Sequence, residues 1–177
     1  SAASDVYKRQ GIHVAVGPSG GTIMTSTDGE TWTKRTVGSV IWQDIAYGNG
    51  KFIIISDGGY FSTSTDGVTW KSQSRIPNIS RGYDVITFGN GKFVVAEGYR
   101  GNTQTTTDGE TWTTPNTSAG SHNWQSIAAS DGKFILVGNS GYVTTSVDGI
   151  TWETPYKLKD EKGSTVSIIL YGVCATQ

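Results

Sequence analysis

The stretch STDGETW at residues 26–32 returns three times along the chain, as STDGVTW at 64–70, TTDGETW at 106–112 and SVDGITW at 146–152. Its aspartates fall at positions 28, 66, 108 and 148, so the repeat is about 40 residues long. Self-similarity at a fixed period of this size indicates a series of small supersecondary units. The sequence therefore predicts four repeated units within the 177 residues.

A second motif precedes three of these stretches, as IWQDIAYGNGKFIII at 41–55, GYDVITFGNGKFVVA at 82–96 and NWQSIAASDGKFILV at 123–137. Each copy places Asn-Gly or Asp-Gly between two apolar runs, which is a strong signal for a two-residue β-hairpin turn. With the Asp-Gly of the first motif, each unit reads as four antiparallel strands joined by short turns. The chain is therefore predicted to be all-β.

Two architectures use four-stranded units of this length, a radial β-propeller and a two-layer sandwich. The second strand of each unit distinguishes them, because the runs 52–55, 93–95 and 134–137 are apolar without alternation and should be buried on both faces. A tryptophan at one fixed position of every unit adds a large apolar surface for packing between blades. The pattern favours a β-propeller with four-stranded antiparallel blades.

The repeated stretch resembles the Asp-box, or bacterial neuraminidase repeat, found in sialidases, photosystem II assembly-factor propellers and phage and bacterial surface proteins. The likeness covers residues 11–155, although all four copies lack a residue that the usual box has between Asp and Gly. The resemblance implies a propeller in which the box is structural and its aspartate caps a turn by accepting backbone N–H groups. The residues assigned to this structural role are Asp28, Trp32, Asp66, Trp70, Asp108, Trp112, Asp148 and Trp152.

Residues 1–10, SAASDVYKRQ, resemble a translated transposase sequencing adapter, and no strand of the expected type precedes the turn that ends at Gly11. We interpret 1–10 as an assembly scar and 11–177 as a single β-propeller, with a fragment of a larger propeller favoured over a closed four-bladed ring. The expected repeats are about 11–37 with 164–173, 38–78, 79–117 and 118–157. In the ring, 164–173 would complete the first blade. An open arc would expose two blade faces and favour self-association.

Composition narrows the classes of partner. A net charge of −1 gives no sign of the clustered Lys and Arg that bind nucleic acid or anionic membranes. No run is long enough to span a bilayer, and the single Cys174 cannot form an internal disulfide, which leaves the compartment open. Neither His13 nor His122 has a second ligand at metal-binding spacing. We therefore expect no nucleic acid, no membrane insertion, no metal and no cofactor.

Groups suited to catalysis are sparse, so the sequence favours a non-catalytic protein. The triplet Arg75-Ile76-Pro77 matches three letters of a sialidase motif, but it follows the second box instead of preceding the first. Glu97, Asp44 and Asp84 could pair as a glycosidase requires, with nothing in the sequence fixing their separation. A fragment of a sialidase-like glycoside hydrolase stays open as the alternative function.

Binding is the favoured function. The first strand of each blade begins with an aromatic residue beside polar ones, at a propeller rim, where such groups suit sugar rings. Loops between the second and third strands add tyrosines and an arginine next to glycine. The candidate ligand residues are Trp42, Gln43, Asp44, Tyr83, Asp84, Trp124 and Gln125 in the first group and Tyr60, Tyr99, Arg100 and Tyr142 in the second. The competing interpretation is that the aromatic residues of the first group pack between blades.

These expectations combine into a recognition or structural propeller that binds a glycan or a protein, from a phage tail or a bacterial surface or secreted protein. This biological setting is inferred from a likeness of fold, and a shared fold does not by itself imply a shared function. An extracellular, cell-surface or virion location is the corresponding expectation. An assembly scaffold that binds protein partners only is a further hypothesis.

Overall fold

In a computed structural model, which describes residues 6–9, 11–79, 84–113 and 118–174, short antiparallel strands form four sheets that follow one another along the chain. Sheet 1 contains β1–β4, sheet 2 contains β5–β8, sheet 3 contains β9–β11 and sheet 4 contains β12–β15. The strands are β1 Val6–Arg9, β2 Ile12–Val16, β3 Thr22–Ser26, β4 Thr33–Thr36, β5 Trp42–Gly48, β6 Lys51–Ser56, β7 Tyr60–Ser64, β8 Ser74–Arg75, β9 Asp84–Gly89, β10 Lys92–Glu97, β11 Thr103–Thr106, β12 Trp124–Ser130, β13 Lys133–Gly138, β14 Tyr142–Ser146 and β15 Tyr156–Lys157.

Irregular structure between the strands is short. The fourth strand of sheet 3 is reduced to a bridge between Thr105 and Thr113, and a single 3₁₀ turn spans Asn139–Gly141. In the described ranges no helix has the length and apolar character that crossing a membrane requires.

The hairpin turns have the geometry that their Asn-Gly sequences predict. Asn49 and Gly50 have φ values of 46° and 74°, and Asn90 and Gly91 have 49° and 73°. Positive φ at both central positions defines the type I′ turn, whose twist matches that of the flanking strands. The hairpins predicted from the second motif are therefore confirmed, whereas in the repeated stretches only the glycine of Asp-Gly has positive φ and the turn is longer than two residues.

The middle strands are buried on both faces, which decides the architecture. In β6, Phe52 and Ile54 pack into a core shared with sheet 1, whereas Ile53 and Ile55 pack into a core shared with sheet 3. A third core around Phe134 lies between sheets 3 and 4. The first strands of neighbouring sheets contact each other, and no comparable contact joins sheet 4 to sheet 1 among the described residues. The sheets therefore radiate as blades in an arc, and the sandwich alternative is excluded.

The repeated stretches, residues 26–32, 64–70, 106–112 and 146–152, form identical turns, which we call the repeat turns. In the second, the Asp66 carboxylate accepts the N–H groups of Val68 and Thr69 at 2.8 and 2.7 Å, and the Ser64 hydroxyl at 2.9 Å. The same three bonds recur in the other turns. The Thr69 and Val68 N–H groups lower the pKa of Asp66 to about 2. The aspartate thus caps the turn.

Repeat turns also pack against the preceding sheet. A Cβ built on Gly149 would lie 2.5 Å from Val94 Cγ2 in sheet 3, so only glycine fits this close approach. The Trp152 indole N–H of the same turn donates to Thr103 Oγ1 of sheet 3 at 3.2 Å. The turn of each of sheets 2, 3 and 4 is therefore part of the junction with its predecessor.

The repeat-turn tryptophans pack between blades at three of the four predicted positions. Trp70 joins the core between sheets 1 and 2, and the Trp112 ring lies 5.3 Å from that of Phe61 in sheet 2. Trp32 differs, because its ring contacts His13 of its own sheet. Among the described residues, the Trp32 ring therefore packs within its own sheet.

The first sheet is completed differently from the sequence prediction. Val6–Arg9 pairs with β2, and so holds the place that we expected 164–173 to fill. Residues 164–173 follow sheet 4 instead: the Gly141 N–H donates to the Ile168 carbonyl at 2.7 Å, and the Val173 N–H to Ser126 Oγ at 3.2 Å. A strand pairs through backbone groups, so Val and Tyr can fill the position whatever the coding origin of 1–10, and the adapter interpretation stays a prediction.

The segment 170–174 occupies the position of a further first strand. The bond from the Gly141 N–H to the Ile168 carbonyl corresponds to the bond of 2.6 Å from the Gly21 N–H to the Val40 carbonyl, where the chain passes from sheet 1 to sheet 2. The bond from the Val173 N–H to Ser126 Oγ corresponds to the bond that Asp44 accepts from sheet 3. These two bonds place residues 170–174 beside β12 of sheet 4, in the same way that β5 lies beside sheet 1. The sequence match of Tyr171-Gly172 with Tyr47-Gly48 is therefore out of register.

Candidate functional site

The starts of the first strands and the loops after the middle strands lie at the same edge of every sheet. Antiparallel pairing places Trp42 opposite Ser56 and Trp124 opposite Gly138. We call this edge the loop face, formed by residues 57–60, 98–102 and 139–142 and the strand ends beside them. The opposite edge, with the Asn-Gly turns and the repeat turns, is the turn face.

The two tryptophans predicted as stacking surfaces for sugars are core residues. Trp42 and Trp124 are 0% exposed, and their indole N–H groups donate to the carbonyls of Val37 and Gly120, both at 2.7 Å. An indole packed on both faces offers nothing to a ligand. At these positions the structure favours packing between blades over ligand binding. Tyr83, the third aromatic residue of this group, lies outside the described residues.

The polar neighbours of these tryptophans bind other parts of the protein. Gln43 Oε1 accepts the Asp84 N–H at 3.1 Å, and Asp44 Oδ2 accepts the Ile86 N–H at 2.7 Å, so both link sheet 2 to sheet 3. Gln125 Nε2 donates within sheet 4, to the Asn123 carbonyl and to Asn139 Oδ1, both at 3.3 Å. Gln43 and Asp44 therefore stabilise the junction of sheets 2 and 3, and Gln125 stabilises the loop between β13 and β14.

Asp84 and Glu97 form a buried acidic pair on opposite strands of sheet 3. They are cross-strand partners, 2% and 0% exposed. Asn102 Nδ2 donates to Glu97 Oε2 at 2.6 Å, whereas no group of the described residues donates to either Asp84 oxygen with hydrogen-bond geometry, and the Gly59 N–H acts on this carboxyl only from a longer distance. Burial, followed by the charges of Glu97 and Asp57, raises the pKa of Asp84 to about 8, and the Gly59 N–H opposes this shift. Asp84 is therefore protonated near neutral pH.

Such a pair meets one requirement of glycoside hydrolysis, an acid that stays protonated beside a second carboxyl group. Both side chains are enclosed, however, so a glycosidic bond has no room between them. Arg75, the other residue of the hydrolase hypothesis, lies on β8 in another sheet. In the described ranges, no group of three or more His, Cys, Asp or Glu side chains is placed to hold a metal ion.

Tyrosines with cationic neighbours recur on the loop face. Tyr60 is the cross-strand partner of Arg75, whose guanidinium lies 4.8 Å from the ring centroid. Tyr142 is the cross-strand partner of Lys157, whose ammonium lies 5.1 Å from the ring centroid. On sheet 3, which lies between these two sheets, Tyr99 is 66% exposed and is followed by the exposed Arg100. Three consecutive sheets thus present a tyrosine and a cation at one edge.

Sequence reasoning missed Lys157, and it considered Arg75 only as part of a hydrolase motif. A signal was present, because the spacing from tyrosine to cation is the same in both pairs, from 60 to 75 and from 142 to 157. His122 was also missed as a neighbour of Tyr142; the two rings stack with centroids 3.9 Å apart. Burial lowers the pKa of His122, so the stacked imidazole is neutral at pH 7.

A groove of about 370 Å³ opens beside Arg75, between sheets 2 and 3. Phe61 and Trp112 give it an aromatic wall, and Lys71 and Glu110 form an ion pair at its rim. The Arg75 guanidinium donates to a backbone carbonyl and has no acidic partner in the described chain. The size of the groove is within the range of small-molecule sites.

No protein-family model and no curated protein sequence matches the chain. Solved structures do match. YCF48 bound to D1 peptide superposes with a TM-score of 0.68 at 20% identity, over 89% of this chain and 55% of that one. Virginiamycin B lyase from Staphylococcus aureus gives 0.71 at 16% identity, over 90% and 57%. A chain of a nidogen/laminin complex gives 0.64 at 12% identity, over 94% and 65%.

Identities this low establish the fold alone. The similar structures are β-propeller-like, so the predicted all-β propeller class is confirmed. This chain spans between 55% and 65% of the length of the three.

Proposed function

We propose that the protein is a non-catalytic recognition propeller whose loop face binds an acidic segment of a protein partner. The observation that carries this proposal is the recurrence of tyrosine and cation in three consecutive sheets. A partly exposed tyrosine supplies apolar contact and a hydroxyl at low entropic cost, and the adjacent cation supplies a charge-assisted hydrogen bond to a carboxylate. Tyrosine and arginine are also enriched where proteins bind each other.

Two further observations support a protein partner over a glycan. Burial of Trp42 and Trp124 removes the stacking surfaces that sugar binding was expected to use. Among the similar propellers, YCF48 was solved with a D1 peptide, and another belongs to a nidogen/laminin complex. A scaffold that binds protein partners only is a version of this same proposal.

A glycan is the second candidate ligand, and the groove beside Arg75 favours it. Its aromatic wall could stack on the apolar face of a sugar ring, and the guanidinium could bind a carboxylate or hydroxyl of the sugar. A sialidase-like hydrolase has less support, because the acidic pair is enclosed. A phage tail or a bacterial surface or secreted protein, and thus an extracellular, cell-surface or virion location, stays the predicted setting.

The experiment measures binding of fluorescein-labelled oligoglutamate by anisotropy, with oligoglutamine as the neutral control. The variants are Arg75→Gln, Lys157→Gln and their combination, matched by Lys162→Gln in the exposed turn between Lys159 and Thr165, which has no ring contact among the described residues. We expect each single change at the loop face to weaken binding about three- to tenfold. Lys162→Gln should leave binding unchanged, and the wild-type affinity should fall with added salt.

Binding of oligoglutamine as tight as oligoglutamate, or equal loss with Lys162→Gln, would contradict the acidic-segment proposal. A glycan array run on the same variants distinguishes the second candidate. Glycan binding that Arg75→Gln abolishes and Lys157→Gln leaves intact would locate the site in the groove.

A further inference from the structure

At the junctions of sheet 2 with sheet 3 and of sheet 3 with sheet 4, a lysine at the start of the middle strand contacts the next repeat turn, whereas Ile12 holds that position in sheet 1. Lys51, at the start of β6, forms an ion pair with Glu110 in the turn of sheet 3, with 3.8 Å between Nζ and Oε1. Lys92, at the start of β10, donates to the Asp148 carbonyl in the turn of sheet 4 at 3.2 Å. The lysine that opens a middle strand therefore reaches forward to the next repeat turn.

The apolar part of the junction follows the same rule. A Cβ built on Gly109 of the sheet 3 turn would lie 3.0 Å from Ile53 and 3.2 Å from Thr63 in sheet 2. On Gly149 it would lie 2.5 Å from Val94 and 3.4 Å from Thr105 in sheet 3. In the turns of sheets 3 and 4 the glycine therefore lies against one residue of the second strand and one of the third strand of the preceding sheet.

Sheet 4 carries the accepting half of this junction without an occupant among the described residues. Lys133, Ile135 and Thr145, which we call the sheet 4 socket, correspond in order to Lys51, Ile53 and Thr63. Lys133 is exposed, and its ammonium has no hydrogen-bond or ion-pair partner in the described chain. Ile135 and Thr145 are half-buried, whereas their counterparts in sheet 2 are buried.

Sheet 1 carries the inserting half. Gly29 and Glu30 of its repeat turn correspond to Gly109 and Glu110. Gly29 is exposed, and the nearest atoms to its Cβ position belong to His13 of the same sheet, at 3.8 Å. The glycines of the other three repeat turns are buried by the preceding sheet.

We propose that a second copy of this chain binds head to tail, with the repeat turn of its sheet 1 in the sheet 4 socket. Lys133 then pairs with the partner's Glu30, as Lys51 pairs with Glu110 inside the chain, and the partner's Gly29 packs on Ile135 and Thr145. The interface repeats the junction of sheets 2 and 3, with the same glycine contacts and the same pairing of lysine with glutamate. It is heterologous, so copies add in one direction and produce a closed ring or an open assembly.

One segment must move for this interface to form. The incoming copy brings Val6–Arg9 to the position beside β12 that residues 170–173 hold. Val6–Arg9 is paired with β2 along its whole length, whereas the hydrogen bonds between 170–173 and the other described residues are two, at 3.3 and 3.2 Å. The segment 170–173 is therefore the one displaced. Its displacement costs binding energy, so the association is weak and is best measured at high protein concentration.

Charge reversal tests the interface in the full chain without added ligand. The variants are Lys133→Glu, Glu30→Lys and the double variant, with Lys162→Glu as the matched surface control. Sedimentation velocity over a concentration series at low salt gives the association constant. We expect the wild type and Lys162→Glu to gain mass with concentration, each single variant to associate about tenfold more weakly, and the double variant to recover.

A wild type that stays monomeric throughout the series overturns the proposal, as does a Lys133→Glu variant that associates like the wild type. Failure of the double variant to recover, with its circular dichroism unchanged, also overturns it, because the contact would then not be Lys133 with Glu30. Oligoglutamate binding by Lys133→Glu is the independent readout for the loop face. It should match the wild type whether or not the chains associate.

Discussion

Thr103 on β11 accepts the indole N–H of Trp152 across the junction of sheets 3 and 4, with 3.2 Å between Oγ1 and Nε1. At the junction of sheets 2 and 3 the corresponding residue is Phe61, and the buried indole N–H of Trp112 finds no hydrogen-bond partner in the part of the chain that the structure describes. Two junctions with the same backbone arrangement therefore differ in whether the tryptophan indole N–H has a hydrogen-bond acceptor. The difference comes from one side chain on the third strand.

Replacing Thr103 with Val should destabilise the protein by about 1 kcal/mol, because Val keeps the shape and removes the acceptor for a buried N–H group. Thr103→Ser keeps the hydroxyl and is the matched control. Urea denaturation followed by tryptophan fluorescence gives the free energy of unfolding. A Val variant as stable as the Ser variant would show that the hydrogen bond adds no stability.

Asp84→Asn should change how stability depends on pH. The folded protein keeps the Asp84 proton up to about pH 8, whereas the unfolded chain releases it near the ordinary value of 3.8. The folded state therefore binds more protons between these values, so wild-type stability from this group falls as pH rises through the interval and levels off above it.

The amide removes that dependence. Because a difference of one in pKa corresponds to about 1.4 kcal/mol, we expect the free energy of unfolding of Asp84→Asn to exceed that of the wild type by about 5 kcal/mol at pH 9 and to match it near pH 4. Denaturation curves at a series of pH values test this expectation. An equal difference between the two proteins at every pH would mean that the Asp84 carboxyl does not titrate as inferred.

Alanine at Gly149 should cost more stability than alanine at Gly29. Both glycines have positive φ. They therefore share a backbone penalty of about 1 kcal/mol on substitution. Only at Gly149 does the new Cβ meet another sheet, at 2.5 Å from Val94 Cγ2. Overpacking at that contact should add about 2 kcal/mol.

Thermal unfolding of Gly149→Ala and Gly29→Ala measures the difference between the two positions. We expect the lower melting temperature for Gly149→Ala. Equal melting temperatures would contradict the close packing of the repeat turn against sheet 3.

Asp66→Ala should remove stability that is present at neutral pH and lost in acid. The folded pKa of about 2 lies below the ordinary 3.8, so the carboxylate stabilises the fold above about pH 4, and this contribution disappears as pH falls toward 2. Because the turn is exposed, solvent screening limits the loss at pH 7 to about 1 kcal/mol. Urea denaturation of both proteins at pH 7 and pH 2 measures it. A wild-type advantage that persists unchanged at pH 2 would contradict the capping role.

The architecture could be predicted because its signals are local. Asn49-Gly50 specifies a hairpin by its own backbone preferences, and the unbroken apolar run from Phe52 to Ile55 already requires a neighbour on each face. The propeller follows from these two features and the repeat. They do not specify which segment lies beside β2, because a short strand is held by backbone groups common to many sequences.

The site was harder to predict, because burial at a strand end depends on the loops around it. Trp42 is the first residue of β5, a position at a sheet edge where a side chain can be exposed. The core of sheets 1 and 2 nevertheless encloses its ring, and the Val37 carbonyl accepts its indole N–H. The pairing of Tyr60 with Arg75 depends on the register of β8, which is two residues long and too short to show a pattern. Such pairs emerge only once the strands are aligned.

The forward reach of Lys51 and Lys92 has a consequence for how this architecture changes over generations. Sheets 2 and 3 each bring both a repeat turn for the preceding blade and a lysine for the following one, and their junctions share one backbone arrangement. Unequal crossing-over between two copies of the repeat would therefore insert or delete one whole blade and leave the same backbone arrangement on either side. Blade number can thus vary by recombination, with only side-chain differences such as that between Phe61 and Thr103 left to adjust at the new junction.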